Sequence, residues 1–424
     1  MPKENKYILK CIECGIDFFT EGEKKLYESK GLFMPKKCKE CRIKKKVKYE
    51  EKLKLKINKE KQKEEEEYLD TLPFKQVDKK ELVLLEPETS LFVIGNGFDL
   101  MHDVPSSYNN FRDSISKNSI IRFTLENYIR SDNIWGDFES SLAYLDRASI
   151  LGTIDMWFDD FDVLDEDDED FSAADYFAAQ EVATSPVYIL TYELPKRFRK
   201  WIESLKYNGL KRPLKGLLNK NTRYINFNYT EFLELIYGVD TENILYIHGD
   251  RRNKKKQLVL GHGHNTDIIF EELYQLNKNR KEYQPKINRG KPKYDKNDDP
   301  VYLAYFLEDE TMGNWKSQVR YDAINNMVHV IEDYYNDSAK KTKEVLDKNK
   351  DYFETLSDIK NIVVIGHSLS DVDDPYFKEI INNNKNRSKI NWYFSWYSVD
   401  SLKRIMGFAS KMNIDYENIK VFKV

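Results

Sequence analysis

Four apolar residues stand in a row, Leu91 to Ile94, without any alternation. Such a run predicts a strand buried on both faces. Similar runs return at Thr222–Asn228, Asn243–His248, Gln257–Gly261 and Asn361–Gly366, and near the end at 390–397 and 419–424. Between them the spacing of apolar positions turns helical: a long reach from about 110 to 215, a segment from Tyr229 to about Tyr237, and residues 266–355. Further helices are expected from Asp374-Pro375 onward and over 399–412. Strands alternating with helices predict an α/β fold, a parallel doubly wound sheet covered on both faces. The pattern divides the chain into a small cysteine module at 1–45, a charged helical linker at 46–85 and an α/β domain at 86–424. That domain carries helical insertions at about 110–215 and 266–355.

The 424 residues are enough for two or three domains with a sizeable core. Charged residues make up 33% and the formal net charge is −4, so a basic surface, where present, has to be local. No apolar run approaches the ~20 residues of a membrane span. The first residues, Met-Pro-Lys-Glu-Asn-Lys, lack the apolar stretch of a signal peptide, and the expected location is cytoplasmic.

All four cysteines fall in the first 41 residues, as Cys11-x-x-Cys14, a gap of 23, and Cys38-x-x-Cys41. Two turns that each present two thiolates complete a tetrahedral Zn(II) site. With four protein ligands no position stays open, so this zinc holds a fold and does not catalyse. From Arg42 to Lys63 there are eleven Lys or Arg and three Glu with no Pro or Gly, followed by Glu64 to Glu67. That stretch reads as an exposed helix or charged linker, and with the lysines of the cysteine module it is a candidate nucleic-acid contact. Nine of the twelve residues from Asp159 to Asp170 are acidic, which reads as an exposed loop; calcium-loop spacing is absent.

Candidate chemistry gathers where predicted strands end. Gly95, Asn96 and Gly97 close the first strand and let the backbone turn, with backbone N–H groups suited to a phosphate. Asp99 follows as a cap or a cleft carboxylate. Asn226 and Asn228, His248-Gly249, and Gly366-His367-Ser368 end three later strands. In an open α/β sheet ligands bind outside the carboxyl ends of strands, so these segments are candidates for one cleft. Trp135 and Glu139 stand four apart, the spacing of one helical face. His262 and His264 lack a carboxylate partner at ligand spacing, and Ser368 is not a nucleophile elbow because Ser370 stands where glycine is needed.

Ile94-Gly-Asn-Gly-Phe-Asp-Leu100, Pro105 to Phe111, Trp135-x-x-x-Glu139 and Gly366-His-Ser-Leu-Ser-Asp371 resemble the AbiH family of bacterial abortive-infection proteins over roughly 90–400. The resemblance implies phage defence in which infected cells are arrested or killed, and a phage component as trigger. Residues 11–42 resemble small bacterial zinc ribbons, which implies a binding accessory. The order of motifs is also similar to sirtuin-like, Rossmann-like NAD-binding folds. That similarity implies an NAD ligand, with Gly95, Asn96, Gly97, Asp99, Gly366, His367, Ser368 and Asp371 around it. It also implies hydrolysis at the nicotinamide–ribose bond, with His248 as general base and Asn228 orienting the ribose or water. Two other readings stay open: a nucleic-acid-targeting effector or nuclease acting through ribbon and linker, and a non-catalytic sensor of a nucleotide or phage component.

Overall fold

The computed structural model describes residues 7–147, 149–150, 153, 157–158, 169–209, 211–218, 220–263 and 318–424. The chain separates into two compact units, Met1–Leu72 and Pro73–Val424. No described helix is long and apolar enough to cross a membrane.

The first unit opens on a hairpin of β1 (Tyr7–Lys10) and β2 (Asp17–Thr20), paired antiparallel. Thr20 and Glu23 form a reciprocal capping box that starts α1 (Glu21–Ser29). Cys38 caps α2 (Lys39–Asp70), its Sγ accepting from the Cys41 amide at 3.5 Å. The basic stretch is therefore helical over all of its length, with Lys–Glu pairs four apart such as Lys63–Glu67 at 3.4 Å.

The second unit is built on a seven-stranded sheet. Its strands are β3 (Lys75–Gln76), β4 (Ser90–Ile94), β5 (Arg223–Asn226), β6 (Ile244–Tyr246), β7 (Asn361–Ile365), β8 (Asn391–Trp396) and β9 (Ile419–Lys423). They lie in the order β3-β9-β8-β7-β4-β5-β6, and every neighbouring pair is parallel. From β6 inward, the six strands after β3 read third, second, first, fourth, fifth, sixth. This is the strand order of the dinucleotide-binding fold, and its topological switch point falls between β4 and β7.

The described helices are α3 (Lys79–Leu82), α4 (Gly97–Met101), α5 (Tyr108–Ser114), α6 (Ile120–Tyr128), α7 (Phe138–Ser141), α8 (Ala173–Tyr188), α9 (Leu194–Ser204), α10 (Phe232–Tyr237), α11 (Gln318–Asp337), α12 (Thr342–Lys348), α13 (Lys350–Glu354), α14 (Asp374–Asn383) and α15 (Val399–Lys411). The two faces of the sheet account for the unbroken apolar runs. On one, Phe92, Ile94, Tyr224, Val363, Ile365 and Tyr393 join a core completed by the helical insertions. On the other, Trp392 and Phe394 pack under Phe408 of α15, whose ring lies 4.8 Å from Phe377 of α14. A strand covered on both sides has no solvent face to mark with polar residues.

Three expectations need correction. Residues 257–261 form no strand; Leu258 and Leu260 pack on the core instead, and the isolated bridge that follows is His262 to Ala339. The helix expected from Tyr229 starts at Phe232, because residues 228–230 bend across the carboxyl end of β5. Trp135 lies in the turn before α7 and shares no helical face with Glu139. The two-residue β3 carries no apolar signal and joins as an edge strand on β9. His264, residues 266–317 and most of the acidic run lie outside the described residues.

At the switch point the loops after β4 and β7 are in backbone contact. A Cβ added to Gly95 would sit 2.4 Å from His367 Cα, and one on Gly366, at φ +63°, 2.4 Å from the Phe98 amide. Neither neighbour is a side-chain end that could swing away. Gly95→Ala is therefore expected to destabilise the second unit by about 3 kcal/mol, the upper part of the range for overpacking. A urea midpoint within experimental error of wild type would show that the loops part without cost.

Candidate active site

A cavity of about 540 Å³ opens at the carboxyl ends of β4, β5 and β7. Its size is ordinary for a small-molecule site, about 300–1,000 Å³. Gly95, Asn96, Gly97, Asp99, Asn228, His248, Gly366, His367 and Ser368 all line it. Asp371 does not: it is exposed and ion-paired with Lys411. Two residues further on, Asp373 turns into the wall instead.

The glycine loop does not offer the phosphate cradle expected of it. The Gly95 amide donates to Ile365 O at 2.9 Å, the Gly97 amide to Gly366 O at 2.7 Å and the Phe98 amide to Gly95 O at 2.9 Å. The two glycine N–H groups stitch the β4 loop to the end of β7, the Phe98 N–H closes the turn on itself, and all three are spent. The helix that follows, α4, is only five residues long and carries the buried carboxyl of Asp99 in its first turn.

Asp99 accepts from Thr230 Oγ1 at 2.7 Å and from Asn228 Nδ2 at 3.1 Å. Burial pushes its carboxyl up to about 7, against the pull of those two hydrogen bonds. The same contact aims Asn228: its amide nitrogen faces Asp99, its backbone N–H donates to Asn226 Oδ1 at 3.0 Å, and its Oδ1 is buried without a partner among the described residues. A buried carbonyl left unpaired costs about 1–3 kcal/mol, which a ligand's N–H or O–H would recover.

Deeper in the wall lies a buried charge cluster centred on Lys340, whose side chain is 0% exposed. Its Nζ donates to Glu139 Oε2 at 2.8 Å and to Asp373 Oδ1 at 3.1 Å, and lies 3.3 Å from His248 Nε2, which is also 3.3 Å from Asp373 Oδ1. Burial opposes the charge on Lys340, but the two carboxylates outweigh it and hold the ammonium well above its usual range. Burial drives Asp373 up and the Lys340 ammonium drives it further down, leaving it well below the usual carboxylate range. His367 accepts the Leu369 amide at Nδ1 (2.9 Å), which leaves Nε2–H to face Asp373 Oδ2 at 3.5 Å. Burial lowers its pKa to about 4, so the ring is neutral and serves to hold Asp373. The Phe227 ring stands edge-on between both histidines, 5.2 Å from His248 and 4.4 Å from His367.

Lys340 is placed by a short strip of backbone pairing. The His262 amide donates to Ser338 O at 3.0 Å and the Lys340 amide to His262 O at 2.7 Å. Glu139 comes from α7 in the helical insertion, and the single proton of the Tyr229 hydroxyl is shared between Val259 O at 2.8 Å and Glu139 Oε1 at 3.3 Å. Burial first, then the Glu139 charge, keep Tyr108 and Tyr229 protonated far above their usual range. Trp135, Phe138 and Tyr108 form an aromatic wall, with Trp135 stacked on Phe138 at 5.5 Å and Tyr108 on Phe138 at 4.8 Å.

Sequence reasoning misses Lys340 and Asp373. Asp373 carries a faint signal, an Asp-Pro helix start directly after it and the Gly366–Asp371 motif just before. Lys340 carries none, since it sits in a run of lysines.

In the first unit Cys11, Cys14, Cys38 and Cys41 bring their sulfurs within 4.8 Å of one another. The Cys14 and Cys38 sulfurs are 3.7 Å apart. Tetrahedral Zn–S bonds of about 2.3 Å require sulfurs about 3.8 Å apart, so the four thiolates fit a structural Zn(II).

Compared with known families, residues 91–396 match the family described as "Bacteriophage abortive infection AbiH", and residues 7–50 match a "Probable treble clef domain". No curated protein and no solved structure matches the chain.

Two measurements follow from this geometry. Purified protein is expected to carry one zinc per chain by elemental analysis, and Cys38→Ser to lose it together with the order of the first unit; a fully metal-loaded Cys38→Ser protein would refute the ligand set. Asp99 gives a pH signature. Its folded pKa of about 7 lies above the unfolded value of about 3.9. The stability it contributes is therefore complete below pH ~4 and is lost as pH rises through ~7. Asp99→Asn should flatten the fall in denaturation midpoint between those limits, and an unchanged pH slope would contradict the shift.

Proposed function

Because the chain belongs to the AbiH family of bacteriophage abortive-infection proteins, we propose that it acts in infected cells by binding NAD and hydrolysing its nicotinamide–ribose bond. The observation that carries this reading is the position of the cavity, at the switch point of a sheet with dinucleotide-binding strand order, with Asn228 and His248 in its wall. The aromatic wall of Trp135, Phe138 and Tyr108 suits a planar base, and the open Oδ1 of Asn228 suits a ribose hydroxyl or a water.

The overall reaction takes NAD and water to ADP-ribose, nicotinamide and a proton. Orienting the water is the role of Asn228, since placement supplies much of such a barrier. His248 takes the released proton. In the resting arrangement its Nε2 receives an N–H of Lys340, so the arriving proton displaces that contact and re-pairs Nε2 with Asp373 Oδ1, 3.3 Å away. General-base assistance of this kind is worth ~10²–10⁴-fold. With the Gly95 and Gly97 amides committed to β7, the pyrophosphate goes to the opposite rim, where Ser368, Ser370 and the exposed Arg404 line the cavity.

A second reading has one observation in its favour. The Lys and Arg side chains from Arg42 to Lys56 are exposed on α2, directly after the cysteine module, as in a salt-dependent nucleic-acid contact. A phage component as trigger is compatible with both.

Incubation with NAD and chromatographic detection of nicotinamide tests the first reading. Wild type should release nicotinamide, with His248→Ala and Asn228→Ala reduced ~10²-fold or more in kcat. Release that is undiminished in His248→Ala would remove the base assignment. Absence of release under conditions where the protein binds DNA with a steep salt dependence would favour the second reading.

A further inference from the structure

We infer that Glu139 is the catalytic carboxylate that stands against the cationic C1′ of a bound ribosyl group, fixed in that position by Lys340. The inference rests on the glycohydrolase reading for its reaction, but its own basis is the charge balance of the buried cluster.

Lys340 brings one positive charge; Glu139 and Asp373 bring two negative ones. His367 is neutral, and His248, as the base of the proposed reaction, enters it with Nε2 free to accept, the role in which it takes an N–H of Lys340 at 3.3 Å. The resting cluster therefore carries one surplus negative charge in a buried setting. A purely structural ion pair would need a single carboxylate, and a second one costs desolvation. Asp373 is held by Lys340 Nζ at 3.1 Å and faces His367 Nε2 at 3.5 Å. Glu139 is the more exposed of the two carboxylates that line the cavity: its side chain is 13% exposed, against 7% for Asp373, while Lys340 is 0% exposed. Tyr229 holds its Oε1 and Lys340 its Oε2, so the carboxylate cannot turn away.

A fixed negative charge at a cavity wall selects for positive charge at the same place. When the C1′–N bond of NAD breaks, the bonding pair leaves with nicotinamide, which departs neutral. The positive charge moves from the pyridinium to C1′ and the ring oxygen. Water then adds to C1′ and gives up its proton to His248. Throughout, Glu139 forms no bond to the sugar; it lowers the energy of the cationic stage, and the same geometry would serve any N-ribosyl compound whose base leaves in this way.

The test separates this inference from the NAD reading. Binding of a phenyl iminoribitol, whose protonated ring nitrogen mimics the cation, is compared by calorimetry with binding of its neutral ring-oxygen counterpart. Wild type should prefer the cationic probe by ~10²-fold, the scale at which one fixed transition-state contact acts. Glu139→Gln, nearly identical in volume, should lose that preference while keeping affinity for the neutral probe and an unchanged fold by circular dichroism. Should Glu139→Gln perturb the fold, Glu139→Asp keeps the charge but draws it back, and it should then show a reduced preference. Nicotinamide release is measured in parallel. A wild type that prefers the cationic probe yet releases no nicotinamide supports Glu139 and sinks the NAD reading. Wild type without the preference, or Glu139→Gln that keeps it or turns over NAD at the wild-type rate, overturns the inference.

Discussion

One buried ammonium holds the candidate site together. Lys340 reaches Glu139, 201 residues away in the chain, His248, 92 away, and Asp373, 33 away. Those partners sit in the helical insertion, at the end of β6 and in the loop after β7. An ammonium with no exposed surface cannot exchange its partners for water, so each must be in place before any contact is favourable. The cluster thus makes the insertion, the sheet and the strip around Ser338–Lys340 fold as parts of one object. Its cost is large and its net contribution to stability small, which is the usual balance for buried ion pairs. What it secures is position.

The glycine contact between the loops after β4 and β7 does complementary work. Gly95 and Gly366 let two backbones approach to hydrogen-bond distance, and the amides that a phosphate loop would present to a ligand are used to close the switch point. This changes what the glycines mean. In a phosphate loop their absence of side chains makes room for the ligand; here it makes room for the neighbouring strand's loop. The polar capacity of the site shifts to side chains, chiefly Asn228, Asp99 and Glu139, and its anion capacity moves to the rim.

The sheet was legible because its strands are covered on both faces, and a short unbroken apolar run such as Leu91–Ile94 or that within Asn361–Ile365 suits a doubly covered strand better than a half-exposed one. The same rule misled at 257–261, where apolar residues pack on the core without strand pairing. Strand-end residues such as Asn228 and His248 were legible as site candidates because topology delivers strand ends to one edge of the sheet. Lys340 and Asp373 were not, since their roles arise only from convergence in space. A lysine among lysines has no local signature, and Asp371 and Asp373 are indistinguishable until the turn between them sends one to the surface and the other to the wall. The four cysteines carried their meaning in spacing alone, because a metal centre needs only the ligands themselves.

The charge balance also narrows what the cavity can hold. A site meant for phosphates would place free cations or unspent amides against them. In this cavity the buried lysine is matched by two carboxylates, His367 is neutral and the glycine amides are committed. What remains along the wall is aromatic surface, an open amide carbonyl and the Glu139 carboxylate, with the exposed Arg404 at the rim. Those features favour the nucleoside end of a nucleotide, and within it the carbon that becomes positive when the base leaves. Asp99 fits the same picture. Its carboxyl, raised to about 7 by burial, accepts from both Asn228 and Thr230 and so aims the Asn228 amide at the cavity. In the proposed reaction the developing cation is met by one carboxylate, held by an ammonium that the fold cannot release.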